Sequence, residues 1–96
     1  MIIGVLQAEI QVPDATSLKD KRRVLKSLKD RLHRHHQVSA AETALQDQLT
    51  RGVLGVVLAA SEAGHAQSTL DRIADALRAD PSFVLADVRT ELITGS

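Results

Sequence analysis

Val53-Leu54-Gly55-Val56-Val57-Leu58-Ala59-Ala60 is an unbroken apolar run interrupted only by Gly55. A strand with one wetted face would alternate, so this run is read as a central strand of a sheet. Upstream of it, Val38 to Ala44 reads as a short strand. Leu45 to Arg51 between them is polar and irregular, as a long hairpin loop with a little of its flanking strands would be. Downstream, Ser61 stands where a helix N-cap belongs, with Glu62 in the first turn. Ala63, Ala66, Leu70, Ile73, Ala74 and Leu77 then make a narrow apolar stripe. Asp80-Pro81 ends this helix, because a residue before proline avoids the helical region. Val84, Ala86, Val88 and Leu92 alternate with Asp87, Arg89 and Glu91 to give a last strand.

The N-terminal third supplies the other two elements. Leu6, Ala8, Ile10 and Val12 alternate with Gln7, Glu9 and Gln11, the pattern of a half-buried strand over residues 2–12 that Pro13-Asp14 stops. Ser17 is an N-cap, with Asp20 standing in for the glutamate of a capping box. Leu18, Val24, Leu25, Leu28 and Leu32 fall on one stripe of a helix that ends between Arg34 and His36. The order strand, helix, strand, strand, helix, strand predicts an α+β ferredoxin-like βαββαβ sandwich, with two helices on one face of a four-stranded antiparallel sheet. Residues 1–96 are then a single domain. The other sheet face would carry Val5, Gln7, Glu9 and one apolar row of the central strand. A homodimer through this open face is expected, against the alternative of isolated surface valines.

Composition narrows the class. Of 96 residues, 44% are hydrophobic and 25% charged, which excludes disordered, collagen-like and low-complexity chains. With no cysteine, disulfide scaffolds, thiol catalysis and cysteine-bound zinc are out, and a reducing cytoplasm is the expected location. Met1 to Leu6 is apolar but lacks a basic flank, so neither a signal peptide nor a membrane span is expected.

The zero net charge conceals a separation. Residues 17–36 hold eight of the twelve Lys and Arg and two of the twelve Asp and Glu, so this segment carries +6 and the remainder −6. Lys19, Arg22, Arg23, Lys26, Lys29, His33 and Arg34 share one arc of about 140° opposite the leucine stripe, with Asp30 the single interruption. A face of one sign repels itself, so an anionic partner is expected against it. Phosphates of RNA suit, as does an acidic protein surface, and the chain's own acidic remainder could neutralise it in a dimer. Lys19, Arg22, Arg23, Lys26 and Arg34 are the candidate nucleic-acid contacts.

Other residues carry weaker signals. Lys21 projects inside the leucine arc, where its stem is expected to snorkel along the core edge, a buried pair with Glu or Asp being the alternative. His33, His35 and His36 lie at the helix end without a third-site signature, so no metal site is assigned, and positive character there complements the helix dipole. His65 stands alone on a polar flank. Neither a phosphate-binding glycine loop nor a nucleophile elbow is present, so no cofactor and no catalytic residue is assigned. Glu9, Glu42 and Asp47 are carboxylates that no spacing brings together. Phe83 is the sole aromatic, which excludes base stacking on a sheet face and leaves RNA binding to phosphate contacts from the helix.

Met1 to Leu6, Ser17-Leu18-Lys19-Asp20-Lys21-Arg22-Arg23-Val24-Leu25, Ala41-Glu42, Gln46-Asp47, Arg51 and Leu54-Gly55-Val56 together resemble the YlxP-like proteins, domain of unknown function 503. The resemblance runs over essentially the whole chain, and the stretch from Ser17 is its most specific part. It implies a small bacterial protein of ferredoxin-like fold. It also implies a setting near ribosome assembly or translation, because genes of such proteins often lie between those of translation initiation factor two and ribosome-binding factor A. Two positions depart from the pattern: Leu49 stands where the family commonly has an aromatic residue, and Leu45 stands near a frequent histidine. Gln46, Asp47 and Arg51 remain as a possible second site, against the alternative of ordinary loop hydrogen bonding. The leading expectation is a non-enzymatic factor binding ribosomal RNA or a ribosomal subunit. A homo-oligomeric interaction or small-ligand regulatory module is the runner-up, on fold analogy, and an uncharacterised enzyme is third.

Overall fold

The computed structural model describes residues 1–95. Six elements follow one another: β1 (Ile2–Gln11), α1 (Leu18–His35), β2 (Ser39–Ala44), β3 (Arg51–Ala60), α2 (Ala63–Ala79) and β4 (Val84–Thr94). The strands form one antiparallel sheet in the order β2-β3-β1-β4. Each helix therefore joins two strands that have a third between them, the α+β ferredoxin-like arrangement.

One face of the sheet carries the core. Leu6, Ala8 and Ile10 of β1 and Leu54 and Val56 of β3 are fully buried, and Leu25, Leu28 and Leu32 of α1 with Leu70, Ile73 and Leu77 of α2 pack on them. Each such Leu, Ile or Val contributes roughly 1.5–3 kcal/mol by leaving water. The opposite row of β3 (Val53, Gly55, Val57, Ala59) and the opposite row of β1 (Ile3, Val5, Gln7, Glu9) face away from both helices.

The N-terminal cap of α1 is built as expected but with a shifted partner. Ser17 Oγ accepts from Asp20 N–H at 3.1 Å, while the Asp20 carboxylate reaches back to the N–H and hydroxyl of Thr16 at 3.0 and 2.8 Å. Those two bonds from Thr16, aided by Arg23, hold the Asp20 carboxyl below the usual carboxylate range.

Four local expectations are corrected. Ser61 is not the cap of α2: Glu62 occupies that position, its side chain makes no capping bond, and Ala63 is exposed. Thr69 joins Ala66, Leu70, Ile73, Ala74 and Leu77 on the buried stripe instead. The central strand β3 starts at Arg51 rather than Val53. In β4 the alternation reverses, because Glu9 pairs with Asp87 and Ile10 with Leu85, leaving Ala86 as an extra, bulged residue. Val84 and Ala86 are thereby turned outward, and Leu85, Val88 and Leu92 pack against the core.

Candidate functional site

Lys21 is the largest side chain with no exposed surface, and it does not snorkel. Its ammonium donates to the carbonyl oxygens of Leu45, Gln46 and Arg51 at 2.9, 3.2 and 2.9 Å. Glu42 Oε2 lies 3.0 Å from the same nitrogen. An ammonium has three protons, and three carbonyls take them, so the carboxylate oxygen is held by charge rather than by an aligned hydrogen bond. Gly52 makes this possible: a Cβ there would stand 3.0 Å from Glu42 Oε2 and 3.3 Å from Leu25. Leu45 adopts a left-handed backbone with φ of 61°, and its carbonyl also accepts from Gln48 N–H at 3.1 Å. Lys21 thus organises the whole turn between β2 and β3.

This node accounts for two of the Gln46, Asp47 and Arg51 trio. Gln46 and Arg51 enter it through their carbonyls, whereas the Arg51 guanidinium turns to the open sheet face and meets Glu9 Oε1 at 2.6 Å. Asp47 is exposed on the turn. The three side chains do not converge on one another.

The outer face of α1 has a different character. Lys19, Arg22, Arg23, Lys26 and Arg34 are all exposed. Among the described residues one of these five has an ionic partner, Lys26 with Asp30 at 2.8 Å. The Lys26 bond keeps the Asp30 carboxyl below its ordinary value, with the charges of Lys26 and Arg34 adding to it. Arg31, on the flank toward α2, is spoken for by Asp80 at 2.6 Å. A groove of about 440 Å³ runs between α1 and the edge strand β2, walled by Arg22, Lys26, Lys29 and His33 on one side and Ala40 and Glu42 on the other. His33 Nε2 accepts the N–H of Ala40 at 3.2 Å, which ties the helix to that edge. Of the carboxylates lining the groove, Glu42 belongs to Lys21 and Asp30 to Lys26. The net field on this face stays positive.

His65, which its sequence position left without a role, lies across a small cavity from His35 and His36. Its spacing to Thr69 and Arg72 places all three on one stripe of α2, a signal present in the sequence. That the end of α1 abuts this stripe is a tertiary fact. Among the described residues no group of three or more His, Asp or Glu is placed to hold a metal ion. Nor, among the described residues, is any helix long and apolar enough to cross a membrane.

Residues 3–90 match the family model described as "Protein of unknown function (DUF503)". The chain belongs to the DUF503 family. Over 90 residues it is 31% identical to "Uncharacterized protein YlxP" of Bacillus subtilis (strain 168), covering 94% of this chain and 98% of that protein. Among solved structures it is similar to the de novo designed protein Foldit4, with a TM-score of 0.56 at 11% identity over the whole of both chains. It is also similar to a C-terminal segment of the alpha subunit of aIF2 from Pyrococcus abyssi, with a TM-score of 0.50 at 22% identity. That match covers 98% of this chain and 51% of the other. At such identities both likenesses bear on fold alone. Of the segments that carry the family resemblance, Ser17 to Leu25, Glu42, Gln46 and Arg51 meet in this DUF503 chain at the Lys21 ammonium.

Proposed function

We propose that this chain is a non-enzymatic RNA-binding factor that lays the outer face of α1 against the phosphates of ribosomal RNA or of a ribosomal subunit. The observation that carries this reading is the row of exposed cations, Lys19, Arg22, Arg23, Lys26 and Arg34, with a single ionic partner among them within the described residues. Each phosphate contact from such a side chain releases condensed counterions. The adjoining groove gives a backbone somewhere to lie. The lone aromatic, Phe83, is buried, so recognition here is of phosphate and shape rather than of stacked bases.

The test titrates the protein against ribosomal subunits and a generic structured RNA, beside a variant carrying R22Q, R23Q and K26Q. Five phosphate contacts imply a fall in affinity of roughly two to three orders of magnitude between 50 and 200 mM salt. The variant, folded but stripped of three contacts, binds much more weakly and with a shallower salt slope. Absence of wild-type binding at low salt sinks the proposal.

A second reading, self-association, is favoured by the open sheet face. Val57 and Ile93 are 45% and 42% exposed, opposite Val5 and Ile3 of β1. A face four strands wide and ten residues long measures roughly 19 by 33 Å, the same order as the ~800 Å² each partner contributes to a stable interface. Its occupant is a second copy of the chain, and the mass in solution of wild type and V57E decides the matter. A monomeric wild type at high concentration rejects it.

A further inference from the structure

The C-terminal end of α1 meets the first half of α2 at a cavity of about 180 Å³. His35 and His36 approach from α1, His65, Thr69 and Arg72 from one stripe of α2, and β3 closes it through Leu58 and Ala59. Among the described residues three histidines and an arginine line the space, and no carboxylate does. Among the described residues Arg72 has no ionic partner; its guanidinium is steadied by a bond of 3.3 Å to the Thr69 hydroxyl. A cavity whose ionisable walls are all basic is completed by an anion, and the planar fork of arginine fits phosphate oxygens in particular.

Size and surroundings define the anion further. The volume is that of about six liquid waters, room for one phosphate group and little else. His36, Gln37, Leu58 and Ala59 also wall a shallow, mainly apolar depression of about 630 Å³ that continues over Val38 and Val57. A phosphate seated in the small cavity would leave its organic substituent over that apolar shelf.

We propose that this cavity binds the phosphate of a small phosphomonoester, gripped by Arg72 with His36 and His65 and with its organic part on the shelf beside β3. None of these residues belongs to the outer face of α1, so this site and the RNA reading stand or fall separately. The proton balance follows from the neighbours. Burial first, then the charges of Arg72 and His35, push His36 below its ordinary value, and His33 and His65 are the other titratable groups around these two cavities. A bound dianion reverses that push, so binding takes up a proton at His36 and tightens as pH falls from about 7.5 toward about 6.5, above the phosphomonoester's own second ionisation near 6.

The test follows imidazole C–H resonances of the full chain while phenyl phosphate, inorganic phosphate or a short structured RNA is added at those two pH values. Saturable shifts of His36 and His65 are expected with both phosphates, and for phenyl phosphate they are tighter at the lower pH, set just above its second ionisation near 6. Exposed Arg72 permits R72Q without loss of fold, and R72Q weakens binding about tenfold or more, as loss of a charge-assisted bond should. H65Q weakens it as well, whereas the R22Q, R23Q and K26Q variant binds phenyl phosphate like wild type. Absence of saturable shifts at either pH overturns the proposal, as does wild-type affinity in both R72Q and H65Q. RNA that occupies the cavity in the triple variant and is not displaced by phenyl phosphate overturns the small-molecule assignment.

Discussion

Lys21 Nζ and Glu42 Oε2 lie 3.0 Å apart with the lysine side chain wholly buried, joining α1 to β2 at the point where the β2–β3 turn closes. Removing one partner of such a pair leaves the other charge buried and uncompensated, and here it also strands three carbonyl oxygens. Lys21→Met should cost about 3–5 kcal/mol in denaturant unfolding. Glu42→Gln should cost less, because the three carbonyls still hold the ammonium. A double-mutant cycle should give a coupling well above zero. Equal, small losses in both single variants would mean that the node is a bystander.

Gly52 is the second half of that arrangement. A methyl group at this position would press on Glu42 Oε2 at 3.0 Å and on Leu25 at 3.3 Å. Gly52→Ala should therefore destabilise by about 1–3 kcal/mol, despite alanine's greater backbone stiffness in the unfolded chain. In the E42A background, with the carboxylate gone, most of that cost should disappear.

The bulge at Ala86 sets two neighbours apart in a way that strict alternation does not. Leu85 packs on the core, while Val84 is 50% exposed. Leu85→Ala should lose about 1–2 kcal/mol in thermal or denaturant unfolding and Val84→Ala less than about 0.5 kcal/mol. The reverse ranking would place the register one residue away.

These residues also mark what was legible in the chain. Element order, the core stripe of Leu25, Leu28 and Leu32 and the uniform sign of the outer α1 face follow from periodicity, which depends on sequence spacing alone. The Ala86 bulge does not, because an extra residue changes which face the next residue meets without changing composition. Lys21 is the sharper case: its angle on the helix places it in the core, but its partner lies 21 positions away and is fixed by how β2 packs beside α1. The three carbonyls it binds are backbone atoms, invisible to any reading by residue type. Likewise His65 faces His35 and His36 through packing of two helices, and no local spacing connects them.

Arg31 and Asp80 tie the C-terminal part of α1 to the end of α2 at 2.6 Å, and Asp80 also accepts from the N–H and hydroxyl of Ser82 at 2.9 and 2.6 Å. Burial pushes the Asp80 carboxyl up, but the Ser82 and Arg31 bonds outweigh it and leave it below its ordinary value. A carboxylate lowered on folding stabilises the native state above its unfolded value, near 3.8, and that stability is lost as pH falls through the folded value. Asp80→Ala should cost about 1–3 kcal/mol at neutral pH. Its deficit relative to wild type should shrink below about pH 4, and a deficit independent of pH would assign the loss to packing instead.

His36 works in the opposite pH range with the opposite proton balance. Burial, Arg72 and His35 lower it on folding, so below its ordinary value of 6.5 the unfolded chain binds a proton that the folded chain resists. Stability should consequently fall as pH drops from about 6.5 toward the folded value, and level off below it. His36→Gln should remove this part of the slope, and Arg72→Gln should reduce it by deleting one of the charges that press on the imidazole. Phenyl phosphate at millimolar concentration should flatten the same part of the wild-type profile, since an anion in the cavity favours the protonated ring. Unfolding midpoints measured across that range for the three proteins check each step. If the slope persists unchanged in His36→Gln, another group carries it.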